Sequence, residues 1–413
     1  MILAEIIDKI VSGEWGNEKY SDDTPHAVSC IRGADIVPIL NVDYDNIPVR
    51  YISNKSYEKK RLREGDIVIE KSGGSPTQST GRVIIVTKDL LDERKDLVCS
   101  NFCEAIRLKE GWNPFFVFSY LQYLYNQGVF FNFEGKTSGL KNLQMDQAFK
   151  SIDIPKQSAD VSILASIDNK ISINRKINKD LATLARLIYD YWFVQFDFPN
   201  EEGKPYKCSG GKMIWDERVK REIPEGWEVM NIFDAANVLY GYPFTTESFV
   251  EELTDKPVVR IRDILDNTSS AYTTEDVDEL YRLNEGDLVI GMDGNFHMNY
   301  WHDNKCYLNQ RCVRFRDIPE VPLSTMQLYF NIKPVLDHKQ GLIQGSTVGH
   351  LLDSDIKEFW IICPPQNKRK YIKTQFDNIL CSITRNKQEI IELDNLRNYL
   401  LPLLMNGQVT IKD

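Results

Sequence analysis

The chain has 413 residues, enough for more than one core, and its 42% apolar and 11% aromatic content suits packed globular domains. No apolar run approaches a membrane span, no basic-then-apolar leader opens the chain, and none of the eight cysteines forms a Cys-x-x-Cys pair, so a cytoplasmic protein with reduced thiols is expected and a disulfide framework or zinc knuckle is not. A net charge of −10 argues weakly against nucleic acid, although a basic face can coexist with acidic surfaces elsewhere or be supplied by a basic partner subunit.

Residues 1–156 read as a mixed α/β domain. Ile67-Val68-Ile69 and Val83-Ile84-Ile85-Val86 are short β-branched runs bounded by turn residues, as buried strands are. Ser72 to Gly81 between them is a loop by composition, and the aromatic stretch Phe115 to Tyr125 is long enough for a helix. Residues 157–200 form a long helix. Its seam is expected at Ile163, Ile167, Lys170, Asn174, Ile177, Leu181, Leu184, Ile188 and Tyr191, alternating steps of four and three. It ends in the aromatic run Tyr189 to Phe198, which suits either core packing or a docking surface, and Pro199 stops it.

A Gly/Lys-rich linker, Asn200 to Lys212, leads into a second α/β domain that closes at residue 366. Its expected strands include Leu288-Val289-Ile290 and Cys312-Val313-Arg314-Phe315. Residues 367–413 form a second long helix, with a seam at Ile372, Phe376, Ile379, Ile383, Asn386, Ile390, Leu393, Arg397, Leu400 and Leu404. A lone helix with an apolar stripe is unstable in water, so the two are expected to pair as an antiparallel coiled coil. In that arrangement Asn174 and Asn386 should not meet, since both lie nearer their helix starts. The fold class is α/β in the α+β sense: two similar domains alternating with two long helices.

The similarity is written into the chain. Arg61-Leu62-Arg63-Glu64-Gly65-Asp66-Ile67-Val68-Ile69 returns as Arg282-Leu283-Asn284-Glu285-Gly286-Asp287-Leu288-Val289-Ile290. Gly135-Lys136-Thr137-Ser138-Gly139 returns as Gly345-Ser346-Thr347-Val348-Gly349, and Asp168-Asn169 as Asp377-Asn378. The offset between copies changes along the chain, so the halves differ by insertions. Repeats of this size are whole domains, not solenoid modules.

Catalytic motifs are not found. A P-loop would need a glycine five residues before Gly135, where Phe130 stands. An adenine methyltransferase needs an Asn/Asp-Pro-Pro-aromatic string, and Asn113-Pro114-Phe115-Phe116 lacks the second proline. A nuclease triple forced onto Asp45 and Glu58-Lys59-Lys60 is of a kind that chance supplies often, and the five histidines do not cluster with acids at metal spacing.

What remains is recognition chemistry. Arg, Lys, Asn, Gln, Ser and Thr contact phosphates and base edges, and both heads carry loops dense in them. In the first the candidates are Arg32, Lys71, Ser72, Ser75, Gln78, Arg82, Lys136, Thr137, Ser138 and Lys141. In the second they are Arg262, Asp293, Asn295, His297, Asn309, Gln310, Arg311, Gln344, Ser346, Thr347 and His350. Each is equally suited to an ordinary solvated loop, and the recurring glycine loops to a shared backbone turn.

The order of these strings resembles the specificity subunit of Type I restriction–modification enzymes. Ser12-Gly13-Glu14-Trp15-Gly16, the twinned Leu62–Ile69 and Leu283–Ile290 strings, and the loop-to-helix passages Gly135 to Gln157 and Gly345 to Gln366 carry the likeness. Met213-Ile214-Trp215 with Ile223-Pro224-Glu225-Gly226-Trp227 is similar to the start of a second target recognition domain. The first head starts at Met1 without such a lead-in, so a small N-terminal strand is expected to be missing there or supplied from elsewhere. The resemblance implies target recognition domains at 1–156 and 201–366, each binding half of a split double-stranded DNA site. It implies spacer helices at 157–200 and 367–413, two docked methylation subunits, and restriction/motor subunits outside them. It also implies no catalysis and no cofactor in this chain; S-adenosylmethionine, ATP and Mg would belong to the partners. Helices of ~45 Å against ~3.4 Å per base pair imply an unread gap of roughly six to nine pairs. Two rival classes stay open: a self-contained DNA methyltransferase or nuclease, and a protein-only coiled-coil adaptor.

Overall fold

The structure is a computed structural model. It describes all residues except 75–77, 138–139, 156–160, 251, 344–348, 407 and 410–413, and at 136, 137 and 140 it describes the backbone alone. The chain divides into two compact units: unit 1 is Met1–Arg175 with Glu392–Asp413, and unit 2 is Lys176–Ile391. Helices α1 (Pro114–Asn126) and α3 (Thr325–Leu342) each belong to one unit, whereas α2 (Ser162–Tyr189) and α4 (Gln366–Met405) contribute to both.

Unit 1 is built on strands β1 (Ile7–Ser12), β2 (His26–Ile31), β3 (Ile67–Glu70), β4 (Val83–Ile85), β5 (Leu97–Cys99) and β6 (Cys103–Leu108). An antiparallel sheet runs in the order β1-β6-β3-β4, while β2 lies parallel to β5. All four residues of β3 are buried because both faces of the sheet are covered. Ile67 and Ile69 face a core with Phe116, Val117 and Leu121 of α1, and Val68 faces a second core with Ile84, Leu97 and Ala105. Asn113 starts α1: its carboxamide oxygen accepts the Phe115 N–H at 2.9 Å, and Pro114 fills the first helical position, where no N–H is needed. A hairpin of β7 (Glu134–Thr137) and β8 (Leu140–Leu143) follows.

Unit 2 repeats this layout with β9 (Asn237–Tyr240), β10 (Val258–Val259), β11 (Leu288–Gly291), β12 (Met298–Tyr300), β13 (Tyr307–Leu308) and β14 (Cys312–Arg316). Its sheet runs β9-β14-β11-β12, the same order, and β10 is parallel to β13 as β2 is to β5. Beside them Glu228–Asn231 pairs with β15 (Trp360–Cys363). Unit 1 has a matching ladder made by its first residues: Leu3 N–H donates to Ile152 O, and Ile154 N–H to Met1 O. The strand expected to be missing from the first head, or supplied from elsewhere, is thus made by its own Met1 to Leu3.

The long helices pack antiparallel within each unit. In unit 1 Arg397 bonds Asp168 at 3.0 Å and Arg175 lies 3.5 Å from Asp394. In unit 2 the Asn386 amide donates to the Asn178 carboxamide oxygen at 2.9 Å, and the Asn178 amide to Ile383 O. Asn386 therefore meets an asparagine of α2, Asn178, one turn along from Asn174. The expected seam of α4 lies inward: Ile372, Phe376, Ile383 and Leu404 are buried, and Ile379, Asn386, Ile390, Leu393, Arg397 and Leu400 are half-buried. On α2 the expected frame is half wrong. Ile167 and Asn174 are buried, and Leu181 and Ile188 half-buried, but Ile163, Lys170, Ile177, Leu184 and Tyr191 are exposed. The inward positions lie one residue later, at Leu164, Ile171, Asn178, Ala185 and Trp192. In the aromatic run, Tyr189, Phe193, Phe196 and Phe198 are core, joined by Trp227.

Candidate nucleic-acid interface

In unit 1 the candidate side chains gather where β3 ends. Glu70, the last residue of β3, is buried. A buried carboxylate must be paired, and Arg82 pairs it with two bonds, of 2.8 and 2.6 Å. Gly33 and Gly73 close over it: a Cβ at either would come within 2.7 Å of its Oε1. Lys71 binds Glu104 at 2.7 Å. The Ser72 hydroxyl donates to the Asn142 carboxamide oxygen. Lys141 lies 3.2 Å from Glu134, donates to Gln78 O at 3.3 Å and sits over the Phe131 ring. The Gln78 side chain is exposed.

Arg32 is bound by Asp35, which is buried, through bonds of 2.9 and 2.7 Å, and also donates to Asn46 O. These bonds to Asp35 and Glu70 hold the Arg32 and Arg82 guanidiniums above their ordinary basicity. Four candidate cations of unit 1, Arg32, Lys71, Arg82 and Lys141, thus carry their own carboxylates. These four cations of the polar loops are charge-balanced locally, since a partly buried cation needs a counter-charge. Of the acids that do this, Asp35, Glu70, Glu104 and Glu134, only the first carries a sequence signal, its Arg-x-x-Asp spacing.

In unit 2 residues from three separate segments converge. Asp293 accepts from His350 Nδ1 at 2.7 Å and lies 3.2 Å from Arg311 Nη1. Asn309 caps the same turn, its Oδ1 accepting the Arg311 N–H at 3.3 Å. Gln310 is exposed, with its backbone N–H on Tyr242 O. Asn295 is exposed and His297 half-buried on the turn after Asp293, where Asn295 O accepts the His297 N–H. Arg262 stands apart and exposed; the structural counterpart of Arg32–Asp35 is Arg260–Asp263, at 3.0 Å. Ser75, Ser138, Gln344, Ser346 and Thr347 lie outside the described residues, and Lys136 and Thr137 are described by backbone only, in β7. Among the described residues no group of three His, Cys, Asp or Glu side chains is placed to hold a metal ion, and no helix is long and apolar enough to cross a membrane.

Comparison with known proteins adds a family. The family model described as Type I restriction modification DNA specificity domain matches twice, at residues 29–183 and 224–395. The MjaIX specificity subunit of a Type I restriction enzyme from Methanocaldococcus jannaschii is 23% identical over 402 residues, covering 92% of this chain and 88% of that protein. The EcoBI specificity subunit from Escherichia coli is 25% identical over 195 residues, 46% of this chain and 41% of that protein, so the match spans less than half of that relative. A Type I restriction–modification S subunit from M. genitalium shares the fold, with a TM-score of 0.52 at 14% identity over 98% of this chain and 95% of that one.

Proposed function

The chain belongs to the family of the Type I restriction modification DNA specificity domain, and from that premise we propose that it is the sequence-reading subunit of a Type I restriction–modification complex. Each unit reads one half of a bipartite double-stranded DNA site, with an unread gap between the halves. The observation that carries this reading is the repeat itself: one sheet order is used twice, β1-β6-β3-β4 and β9-β14-β11-β12, under loops of different chemistry. Two copies of one reader with unlike tips suit two unlike half-sites.

The chain has no catalytic role in this reading and works in the cytoplasm. Two methylation subunits dock on it, with restriction/motor subunits beyond them. They bind S-adenosylmethionine, ATP and Mg, and the adenine to be methylated at N6 is flipped into the methylation subunit. Support for docking comes from α2 and the turn that follows it. Beside its inward seam, Ile177, Leu184, Leu187, Tyr191 and Val194 form a second apolar stripe that is exposed, and a methylation subunit would cover it. The test is a methylome. Cells expressing the chain with its methylation subunit should carry N6-methyladenine in a motif of two short half-sites separated by roughly six to nine unread pairs, on the scale of one turn of DNA. A continuous motif overturns the reading.

A further inference from the structure

The two units carry one backbone frame with different side chains on it. In unit 1 the chain leaves β3 through Lys71 to Ser72. Lys71 N–H donates to Phe102 O at 2.8 Å, Lys71 O accepts from Leu143 N–H at 2.7 Å, and Ser72 pairs with Asn142. In unit 2 the chain leaves β11 through Met292 to Asp293. Met292 N–H donates to Arg311 O at 2.9 Å, Met292 O accepts from Leu351 N–H at 2.7 Å, and Asp293 bridges to His350. The strand register agrees, Glu70 facing Cys103 and Gly291 facing Cys312. By this register Gly349 is the equivalent of Lys141.

Three positions therefore correspond: Ser72 with Asp293, Phe102 with Arg311, and Asn142 with His350. The chemistry on them differs. Unit 1 has a hydroxyl bonded to a carboxamide beside a phenyl ring that is 54% exposed. Unit 2 has a carboxylate holding an imidazole and a guanidinium, whose side chains are 59% and 64% exposed. Asp293 occupies Nη1 of Arg311. Among the described residues nothing else bonds that guanidinium, so its Nη2–Nε edge is open. A guanidinium steadied on one side and open along a flat two-donor edge fits two coplanar acceptors, and guanine presents such a pair, N7 and O6, in the major groove. His350 is held through Nδ1, which leaves Nε2 for a second polar contact. A phenyl ring at the same place in unit 1 suits a thymine methyl instead.

We propose that this trio is the specificity-determining element of each unit. In unit 2 Arg311 reads a guanine, Asp293 is its positioning residue, and His350 flanks it. The proposal rests on the reading of the chain as a DNA-recognition subunit. The test reconstitutes the chain with its methylation subunits and maps N6-methyladenine on a random-sequence DNA library. Wild type is compared with Arg311→Lys, Arg311→Ala and Asp293→Asn. Wild type should require a guanine in one half-site. Both Arg311 variants should lower discrimination at that one position by roughly ten- to hundred-fold, the worth of one bidentate pair, and leave the other half-site unchanged. Asp293→Asn should relax the same position less. An unchanged motif, a loss spread over both half-sites, or a wild-type motif without guanine overturns the proposal. So does failure of the Arg311 variants to assemble, since an exposed reader should not hold its unit together. A wild-type complex with no split motif overturns the earlier reading of function instead.

Discussion

Asp66 and Asp287 each perform two tasks. Asp66 accepts the Arg63 N–H at 2.8 Å and Asp287 the Asn284 N–H at 2.7 Å, closing a turn whose glycine, Gly65 or Gly286, has a positive φ. Each also holds an arginine from the neighbouring strand: Asp66 binds Arg107 at 2.8 and 2.7 Å, and Asp287 binds Arg316 at 2.7 and 2.6 Å. The repeated Glu-Gly-Asp string is therefore a locked turn, present in both copies for a packing reason. The string was legible because it is local. Its arginine partners were not, since no spacing connects them to it along the chain. Both aspartates are almost fully buried. Removing one leaves a backbone N–H without its acceptor and an arginine without its counter-charge, Arg316 keeping only its bond to Arg282 O, and this costs more than the pair contributes net. Asp287→Ala should destabilise the protein by about 3–5 kcal/mol. Asp287→Asn keeps an acceptor for the turn and should cost less. Urea unfolding followed by fluorescence decides, and equal midpoints for wild type and both variants would rule the lock out.

The elements differ in how far their sequence specifies them, and α2 shows why. The exposed large apolar residues of α4, Tyr371, Leu396 and Tyr399, form no continuous stripe, so they offer no rival frame to its seam. Helix α2 carries two apolar stripes. Leu164, Ile167, Ile171, Asn174, Asn178, Leu181, Ala185, Ile188 and Trp192 face inward, and Ile177, Leu184, Leu187, Tyr191 and Val194 of the outer stripe remain exposed. A four-three path through the sequence can step between the stripes. Asn178 and Ala185 are polar or small, so Ile177 and Leu184 outscore them as apolar candidates although their neighbours make the contact. Periodicity reports that a stripe exists; only the partner's shape says which of two is covered. The outer stripe also separates stability from assembly. Leu184→Glu with Leu187→Glu should leave thermal unfolding nearly unchanged, as exposed substitutions do, yet abolish co-elution with the methylation subunit. Full co-elution of the double variant would remove the stripe from the docking surface.

At the scale of the molecule the difficulty is charge. A chain of net charge −10 is an unpromising ligand for a polyanion, and the candidate cations Arg32, Lys71, Arg82 and Lys141 of unit 1 already face Asp35, Glu104, Glu70 and Glu134. The repeated strings and the heptad pattern made the two-domain layout legible, but these pairings depend on which loops meet, which neither encodes. They have a consequence for binding. A cation engaged by its own carboxylate releases few counterions when phosphate approaches, because the carboxylate must be displaced first. Each fully used phosphate contact adds about −0.9 to the slope of log K against log salt concentration. The chain alone should therefore bind duplex DNA weakly, with a slope no steeper than about −3, equivalent to roughly three phosphates. Assembled with its methylation subunits it should bind with a clearly steeper slope, since the partners then supply the phosphate contacts while this chain supplies base contacts, which carry sequence information. A salt titration of both forms on one DNA fragment separates the cases. A steep slope for the chain alone would mean that the internal pairs open readily to phosphate. Salt-independent behaviour of the assembled form would favour a protein-only adaptor, the class that an acidic chain with paired helices otherwise fits.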